Sequence, residues 1–411
     1  MATRALSARA GTRVVAGVRP LVTLWVVWLV LMAGANLATP LYPVYAADFH
    51  FSSLVLTAIF ATYAFVLVPA LVLFGRLSDR FGRRPVLVAG LLTAAVALAL
   101  FAAAEGPAWL FAARGVQGLA VGMISGAATA ALVELDPGGD RRRAAMLAGL
   151  AQAGGSATGP LATGVLAQWA PDPRRLCFLV TLGATLLAAG VCTCLPEPAT
   201  AAHEPWRIQW PRVPPELRRD FARVSATAAT VWATVALYLS IVPSYARNLL
   251  QTHNLALLSL VAAVALLASC VAQVAAQRVE GARRRDQALG LALLVAGLAA
   301  LVVAAPAHSL AVLLAGAVAA GAGHGLGFLN AQQELNDLAP PERRGEVTAA
   351  FISCIYFLVA TAVISSGLLD RWFSLSVAVG AVASALALLA ATLALWQKSF
   401  RPPLHFAVRA R

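Results

Sequence analysis

The densest chemistry in the chain stands at residues 75–85, GRLSDRFGRRP, where one carboxylate, Asp79, sits among the guanidinium groups of Arg76, Arg80, Arg83 and Arg84, with Gly75 and Gly82 beside them. A carboxylate so placed accepts charge-assisted hydrogen bonds, and it also suits the positive end of a helix. The glycines permit a tight turn and close approach of a neighbouring backbone. This is ion-pair and turn chemistry. Arg114, with Gln117 one helical turn further on, lies inside a long apolar run. A cation at membrane depth costs about 2.5–3.5 kcal/mol on insertion scales, so it is by default functional or paired. Being near the end of its run, Arg114 has the alternative of snorkelling to the interface. His324 is the one histidine well inside a run. Its ordinary pKa of about 6.5 suits a proton carrier, against the plainer reading of a hydrogen-bonded packing residue.

Bond-making chemistry has no such foothold. The six histidines, His50, His203, His253, His308, His324 and His405, form neither H-x-x-x-H nor H-E-x-x-H, and no Cys/His cluster has metal spacing. The five cysteines, Cys177, Cys192, Cys194, Cys270 and Cys354, lie in or at apolar runs without a C-x-x-C pair, which reads as helix packing. There is no P-loop to cradle ATP. The residues predict no catalytic set, no metal, no cofactor and no enzyme.

The elements that must hold these residues follow from composition. Of 411 residues 60% are hydrophobic and 12% charged, against about 45–50% apolar and about 25% charged in a soluble domain. Such apolar content excludes disorder and leaves the lipid bilayer as solvent. A spanning helix needs about 20 mostly apolar residues. Twelve runs qualify, near 21–44, 53–74, 85–104, 109–133, 143–168, 176–195, 221–244, 255–276, 286–305, 309–332, 345–369 and 374–397. Pro196, Pro198, Pro205, Pro211, Pro214 and Pro215 break any helix between the sixth and seventh runs. The expected organisation is a six-helix bundle over 1–200, a cytoplasmic linker over 201–220 and a second six-helix bundle over 221–411.

The formal net charge of +13 would suggest nucleic acid in a soluble protein. Sorted by loop, 26 of the 31 cations fall on the side of the N-terminus and four, Arg174, Arg175, Arg247 and Arg371, on the other, with Arg114 left inside its run. That asymmetry predicts a multi-pass protein of the cell membrane with both termini cytoplasmic and no nucleic-acid partner. The basic N-terminal stretch reads as a tail rather than a cleavable signal peptide, because the run after it is too long. Trp109, Trp169, Trp372 and Trp396 fall at run ends, where interfacial indoles belong.

The halves read as repeats. GRLSDRFGRRP at 75–85 has a degraded counterpart, QRVEGARRRDQ, at 277–287, and ELDPGGDRRRAA at 134–145 is matched by ELNDLAPPERRGEV at 334–347. Two matches at one offset of about 200 residues favour duplication. The predicted fold is an all-α membrane protein of twelve transmembrane helices in two bundles related by pseudo-two-fold symmetry.

With these positions in view, the chain resembles the major facilitator superfamily over nearly its full length. Gly75, Leu77, Asp79, Arg80, Gly82, Arg83 and Arg84 fit that family's G-x-L-x-D-R-x-G-R-[KR] loop at every fixed position. Leu110, Arg114, Gln117 and Gly118 match its L-x-x-x-R-x-x-Q-G motif. Gly155, Gly159, Pro160 and Gly164 are similar to the G-x-x-x-G-P-x-x-G-G signature of its drug/proton antiporters, with Thr163 departing from it. The same ridge of small residues also reads as ordinary close helix packing, bent by Pro160.

The resemblance implies a conformational clamp in which Asp79 faces the start of the eleventh helix near Gly345 and Arg83 pairs with Glu134 or Asp136. It also implies a pathway lined by helices 1, 4, 7 and 10, with Trp28, Asn36, Tyr42, Arg114, Gln117, Trp232, Tyr238, His324 and Asn330 as lining candidates. An aromatic cavity with few polar groups suits an amphiphilic organic substrate. No carboxylate is expected at mid-membrane, and Asn36 stands where proton-coupled members carry an acid. The implied function is alternating-access export of a small amphiphile, in exchange for protons, by a protein working as a monomer. Uptake or facilitated diffusion of a small solute such as a sugar is the alternative.

Overall fold

A computed structural model of the chain describes residues 17–197, 210–278, 283–340 and 343–399. The expected basic tail through Arg13 and residues 201–209 of the expected linker, with Trp206 and Arg207, lie outside the described residues. Within them all regular structure is helical. The first half comprises α1 (Val18–Asn36), α2 (Tyr42–Asp48), α3 (Ser53–Phe74), α4 (Leu77–Phe81), α5 (Arg83–Ala102), α6 (Pro107–Leu135), α7 (Arg141–Trp169) and α8 (Leu176–Thr193). The second comprises α9 (Arg218–Ser240), α10 (Val242–Leu250), α11 (Leu255–Arg278), α12 (Arg283–Ala307), α13 (Leu310–Leu338), α14 (Arg344–Leu369) and α15 (Leu375–Ser399).

Among the described residues, ten helical segments are long and apolar enough to cross a membrane, and α9 with α10, bent by 50°, makes an eleventh. The one remaining expected run, the fifth, is α7, whose 29 residues are diluted by Gln152, Ser156, Thr158, Thr163 and several glycines. Its smallness is what its position needs, because α7 packs against both α1 and α11. Runs four, five and ten extend into 29-residue helices, since their polar ends continue the backbone ladder beyond the apolar stretch. Chain starts are fixed by caps: Asp140 accepts from the backbone of Arg142 and Arg143 at the head of α7, and Ser309 from Val312 at the head of α13.

The halves repeat each other in packing as well as in order. The neighbours α3 and α6, α5 and α6, α5 and α8, and α1 and α7 recur as α11 and α13, α12 and α13, α12 and α15, and α9 and α14. Across the interface α3 meets α14 and α7 meets α11, the second helix of each half on the fifth of the other, as a two-fold axis requires. The first helix of each half breaks at the same place. Pro43-Val44-Tyr45-Ala46 and Pro243-Ser244-Tyr245-Ala246 stand 200 positions apart, in the short tips α2 and α10, which touch. This P-x-Y-A repeat is legible in the sequence but hidden by the stronger loop matches. Phe65, Leu187, Val271, Phe357 and Leu388 are exposed around the outside, as lipid-facing positions must be.

Candidate functional site

Alternating helix directions gather residues 76–84, 136–143 and 343–344 at one end of the bundle, the basic face. There Gly82 ends α4 at φ 91°, a conformation that favours glycine. The turn aims Arg83 back at the loop and at α6. Arg83 donates to Ser78 Oγ (2.6 Å) and to Asp79, while its Nη2 meets Glu134 Oε1 at 2.9 Å. Asp79 also accepts from Arg76 Nε at 3.3 Å. Arg80 lies over the Phe81 ring, 5.3 Å from its centroid. Of the two acids expected to meet Arg83, Glu134 does so. Asp136 instead accepts from Gly138 N (2.8 Å) and lies 3.7 Å from Arg143 Nε, closing its own loop.

A residue not anticipated from sequence completes this cluster. Glu197, just past α8, accepts from the backbone N–H groups of Arg83 (2.5 Å) and Arg84 (3.1 Å). These are the first two donors of α5, which no preceding residue caps, and the positive helix end favours the carboxylate. A Cβ on Gly82 would sit 3.0 Å from the Glu197 carboxyl. Glycine is therefore required there by conformation and by space.

The second half has a lock built from other parts. Arg223, counted from sequence among the loop cations, is fully buried in α9. It donates to Glu334, to Gln397 Oε1 (2.6 Å) and to Gln287 Oε1 (3.3 Å). Gln287 Nε2 in turn donates to Glu334 Oε2 at 2.8 Å, and Gln397 Nε2 to Gln287 Oε1 at 2.8 Å. One ion pair and its amides thus join α9, α12, α13 and α15. Glu334 is the repeat of Glu134, and its guanidinium partner among the described side chains is Arg223, from the helix after the linker.

Deeper in the bundle, Arg114 and Gln117 come together as their spacing predicts. Arg114 Nη1 donates to Ala35 O (2.9 Å) and Gln117 Oε1 (2.7 Å), and Gln117 Nε2 donates to Gly34 O at 3.0 Å. The guanidinium lies 5.5, 5.0 and 5.7 Å from the ring centroids of Tyr42, Phe60 and Tyr63. It is 2% exposed, which removes the snorkelling alternative. Asn36 Nδ2 donates to Ser156 Oγ on α7 at 3.0 Å.

His324 pairs Nδ1 with Ser269 Oγ at 2.8 Å, and Gln273 Nε2 donates to the same hydroxyl at 3.2 Å. Its ring meets Trp232 edge-on at 4.7 Å and stacks on Phe328 at 5.7 Å. Ser269 and Gln273, polar residues on one face of α11, escaped sequence reasoning. Trp28 and Tyr238 are packed inside their own halves, Tyr238 wholly buried beside Gly316. Asn330 is buried and bonds the backbone of its own helix at Leu326 O.

Gly155 and Gly159 let α7 ride on α1, and Gly164 lets it meet α11 at Leu255 and Ser259. A Cβ on Gly155 would come 2.5 Å from Leu29 O and 2.6 Å from Met32 Cβ, whereas Gly183 on α8 has open space. Gly155→Val is expected to cost about 1–3 kcal/mol by overpacking, read as a lower unfolding temperature of the purified protein, with Gly183→Val unchanged.

At the end opposite the basic face the halves are hydrogen-bonded to each other. Arg247 Nη1 donates to Pro43 O (3.2 Å) between the two tips, and Leu255 N to Gln168 Oε1 (2.8 Å). Gly367 of α14 lies against Ser53 and Thr57 of α3.

The sequence profile described as Major Facilitator Superfamily matches residues 24–361 and 224–406. Among curated proteins, a Streptomyces alboniger protein described as puromycin resistance protein pur8 is 37% identical over 129 residues, covering 31% of this chain and 25% of that protein. An Escherichia coli protein described as tetracycline resistance protein, class C, is 35% identical over 160 residues, 38% of this chain and 39% of that protein. The chain thus aligns with well under two thirds of either relative. Two solved structures share the fold. The nucleoside transporter NupG, crystallised as a point mutant, has a TM-score of 0.71 at 11% identity, covering 92% of this chain and 99% of its own. A bacterial homologue of the human lysosomal transporter Spinster, inward-facing and unoccupied, has 0.68 at 15% identity, covering 93% and 97%.

Proposed function

Because the chain belongs to the major facilitator superfamily, and is therefore a multi-pass membrane transporter, we propose that it exports a small amphiphilic organic compound across the cell membrane by alternating access, in exchange for protons. The observation that carries this reading is how contacts are divided between the two faces. Hydrogen bonds from Arg247 to Pro43 and from Leu255 to Gln168 tie the halves together at the far face. At the basic face the ion pairs Arg83–Glu134 and Arg223–Glu334 each stay within one half. That pattern fits a molecule closed at the far end and able to part at the basic end, with both termini on the cytoplasmic side.

Export, rather than uptake, is favoured by the relatives described as puromycin and tetracycline resistance proteins and by the Gly155, Gly159, Pro160 ridge of α7. The aromatic groups Trp232, Phe328, Tyr63 and Tyr356 along the interior suit a substrate with an apolar body. The clamp is assigned to Gly75, Asp79, Arg80, Gly82, Arg83 and Glu134. Accumulation of substrate by inside-out vesicles, dependent on an imposed proton gradient, supports export. Accumulation only by right-side-out cells establishes the uptake alternative.

Proton carriage is assigned to His324, the one ionisable group in its cluster of Ser269, Gln273, Trp232 and Phe328. His324→Ala is expected to lose gradient-driven flux while ligand binding persists. Undiminished gradient-driven flux in that variant assigns coupling elsewhere.

A further inference from the structure

The protein contains two buried guanidinium groups that can be compared directly. Arg223 is surrounded by what a buried cation needs: the carboxylate of Glu334 and the amide oxygens of Gln287 and Gln397. Arg114 is equally buried, but its ring of neighbours is a backbone carbonyl, one amide oxygen and three aromatic faces. Among the described residues no carboxylate lies within ion-pair distance of it. Its Nε has no hydrogen-bond partner, as is also the case for the Arg344 Nε, so the missing carboxylate is what sets Arg114 apart from Arg223.

A cation in low dielectric without a counter-charge is costly, and ring faces and neutral oxygens recover only part of that cost. The site is therefore a fixed positive charge with an unused donor of its own, in a bundle whose described acids stand at helix ends and loops. Resting on the transport reading above, and sharpening it, we propose that the transported amphiphile carries an anionic, acceptor-rich head group such as a carboxylate, and that Arg114 is the counter-charge that selects it. Substrate then completes an ion pair the protein leaves half-built. Hydrophobic organic cations meet like charge at the same place. Gln117 is the positioning residue: by accepting from Nη1 it fixes the guanidinium while its own amide is held by Gly34 O.

The test uses the full-length purified protein and matched probes: 4-phenylbutyrate, 4-phenylbutyramide and 4-phenylbutylamine, with the corresponding naphthylbutyl set. Binding is measured in detergent, and flux in liposomes. In each set the carboxylate is expected to bind about tenfold or more tighter than the amide, as one charge-assisted hydrogen bond implies, and the amine weakest. Arg114→Gln is expected to erase the carboxylate advantage, bringing carboxylate binding down to the level of the amide in the same variant. Should Arg114→Gln fail to accumulate, Arg114→Lys, a point charge without the planar fork, is expected to weaken the carboxylate selectively. Absence of carboxylate binding in both sets, an amide or amine equal to its carboxylate, or an advantage that survives Arg114→Gln overturns the proposal. Amines exported while carboxylates are not would overturn the head group and leave export standing. Carboxylates carried only inward would overturn export and leave Arg114 as the selecting charge.

Discussion

Asp79→Ala is expected to lower transport about 100-fold or more while the protein still folds and reaches the membrane. The carboxylate receives Arg76 and Arg83; the solvent-screened Arg76 bond is worth about 1 kcal/mol at most, and the more buried charge-assisted bond from Arg83 about 1.5–3 kcal/mol. Loss of both removes roughly 3 kcal/mol from whichever state uses them, which is about two decades in a rate or population. Arg83 would keep Glu134 and Ser78, so α5 and α6 stay joined and the damage falls on the clamp rather than on the bundle. In the proposed cycle, Asp79 is released from its own loop when the basic face closes and turns to the head of α14. Asp79→Glu should restore part of the flux, because charge is kept with one extra methylene. The measurement is initial flux in vesicles normalised to protein folded by gel filtration. Wild-type turnover in Asp79→Ala removes the loop from the conformational cycle.

Glu334→Leu has the other large expected effect, and it falls on stability. It strips the counter-charge from Arg223, which is 0% exposed, and breaking a buried pair by removing one partner costs about 3–5 kcal/mol. Gln287 and Gln397 supply oxygens but no charge, so they soften this loss without cancelling it. The double variant Arg223→Met with Glu334→Leu is expected to recover most of it, since replacing both partners removes the orphaned cation. A double-mutant cycle on unfolding temperature in detergent measures the coupling. Additive singles would show that the pair contributes nothing beyond its separate side chains.

The two locks also show what a linear reading can reach. Glu134 and Glu334 match as repeats in the sequence, and the loop motif assigns Arg83 to an acid at the end of α6. The repeat then implies an arginine of 283–285 for Glu334, and among the described side chains it is Arg223 that meets it. Nothing in spacing distinguishes them, because a charge at the polar end of an apolar run looks the same whether it faces water or a buried acid. Glu197 is invisible for a related reason. It lies over 100 positions from the α5 head that it caps, in a segment marked only by its prolines. The P-x-Y-A pair at 43–46 and 243–246 is a signal available in the sequence, and it identifies the broken tips of the first and seventh spans.

What the amino-acid sequence determined by itself was the set of helices, the division into repeated halves and the asymmetry of charge. Bilayer physics makes these local: backbone groups must be satisfied within the helix, so length and apolar content suffice to find a span. Only the tertiary structure decided which buried cation has a carboxylate and which has none. Arg223 and Arg114 are both arginines near the ends of apolar runs. Which partner each one meets on another helix depends on residues 64 to 174 positions away, brought together by close packing of small faces such as Gly290 of α12 against Gly323 and Gly327 of α13. Periodicity records the face a residue occupies but not the neighbour on the opposing helix.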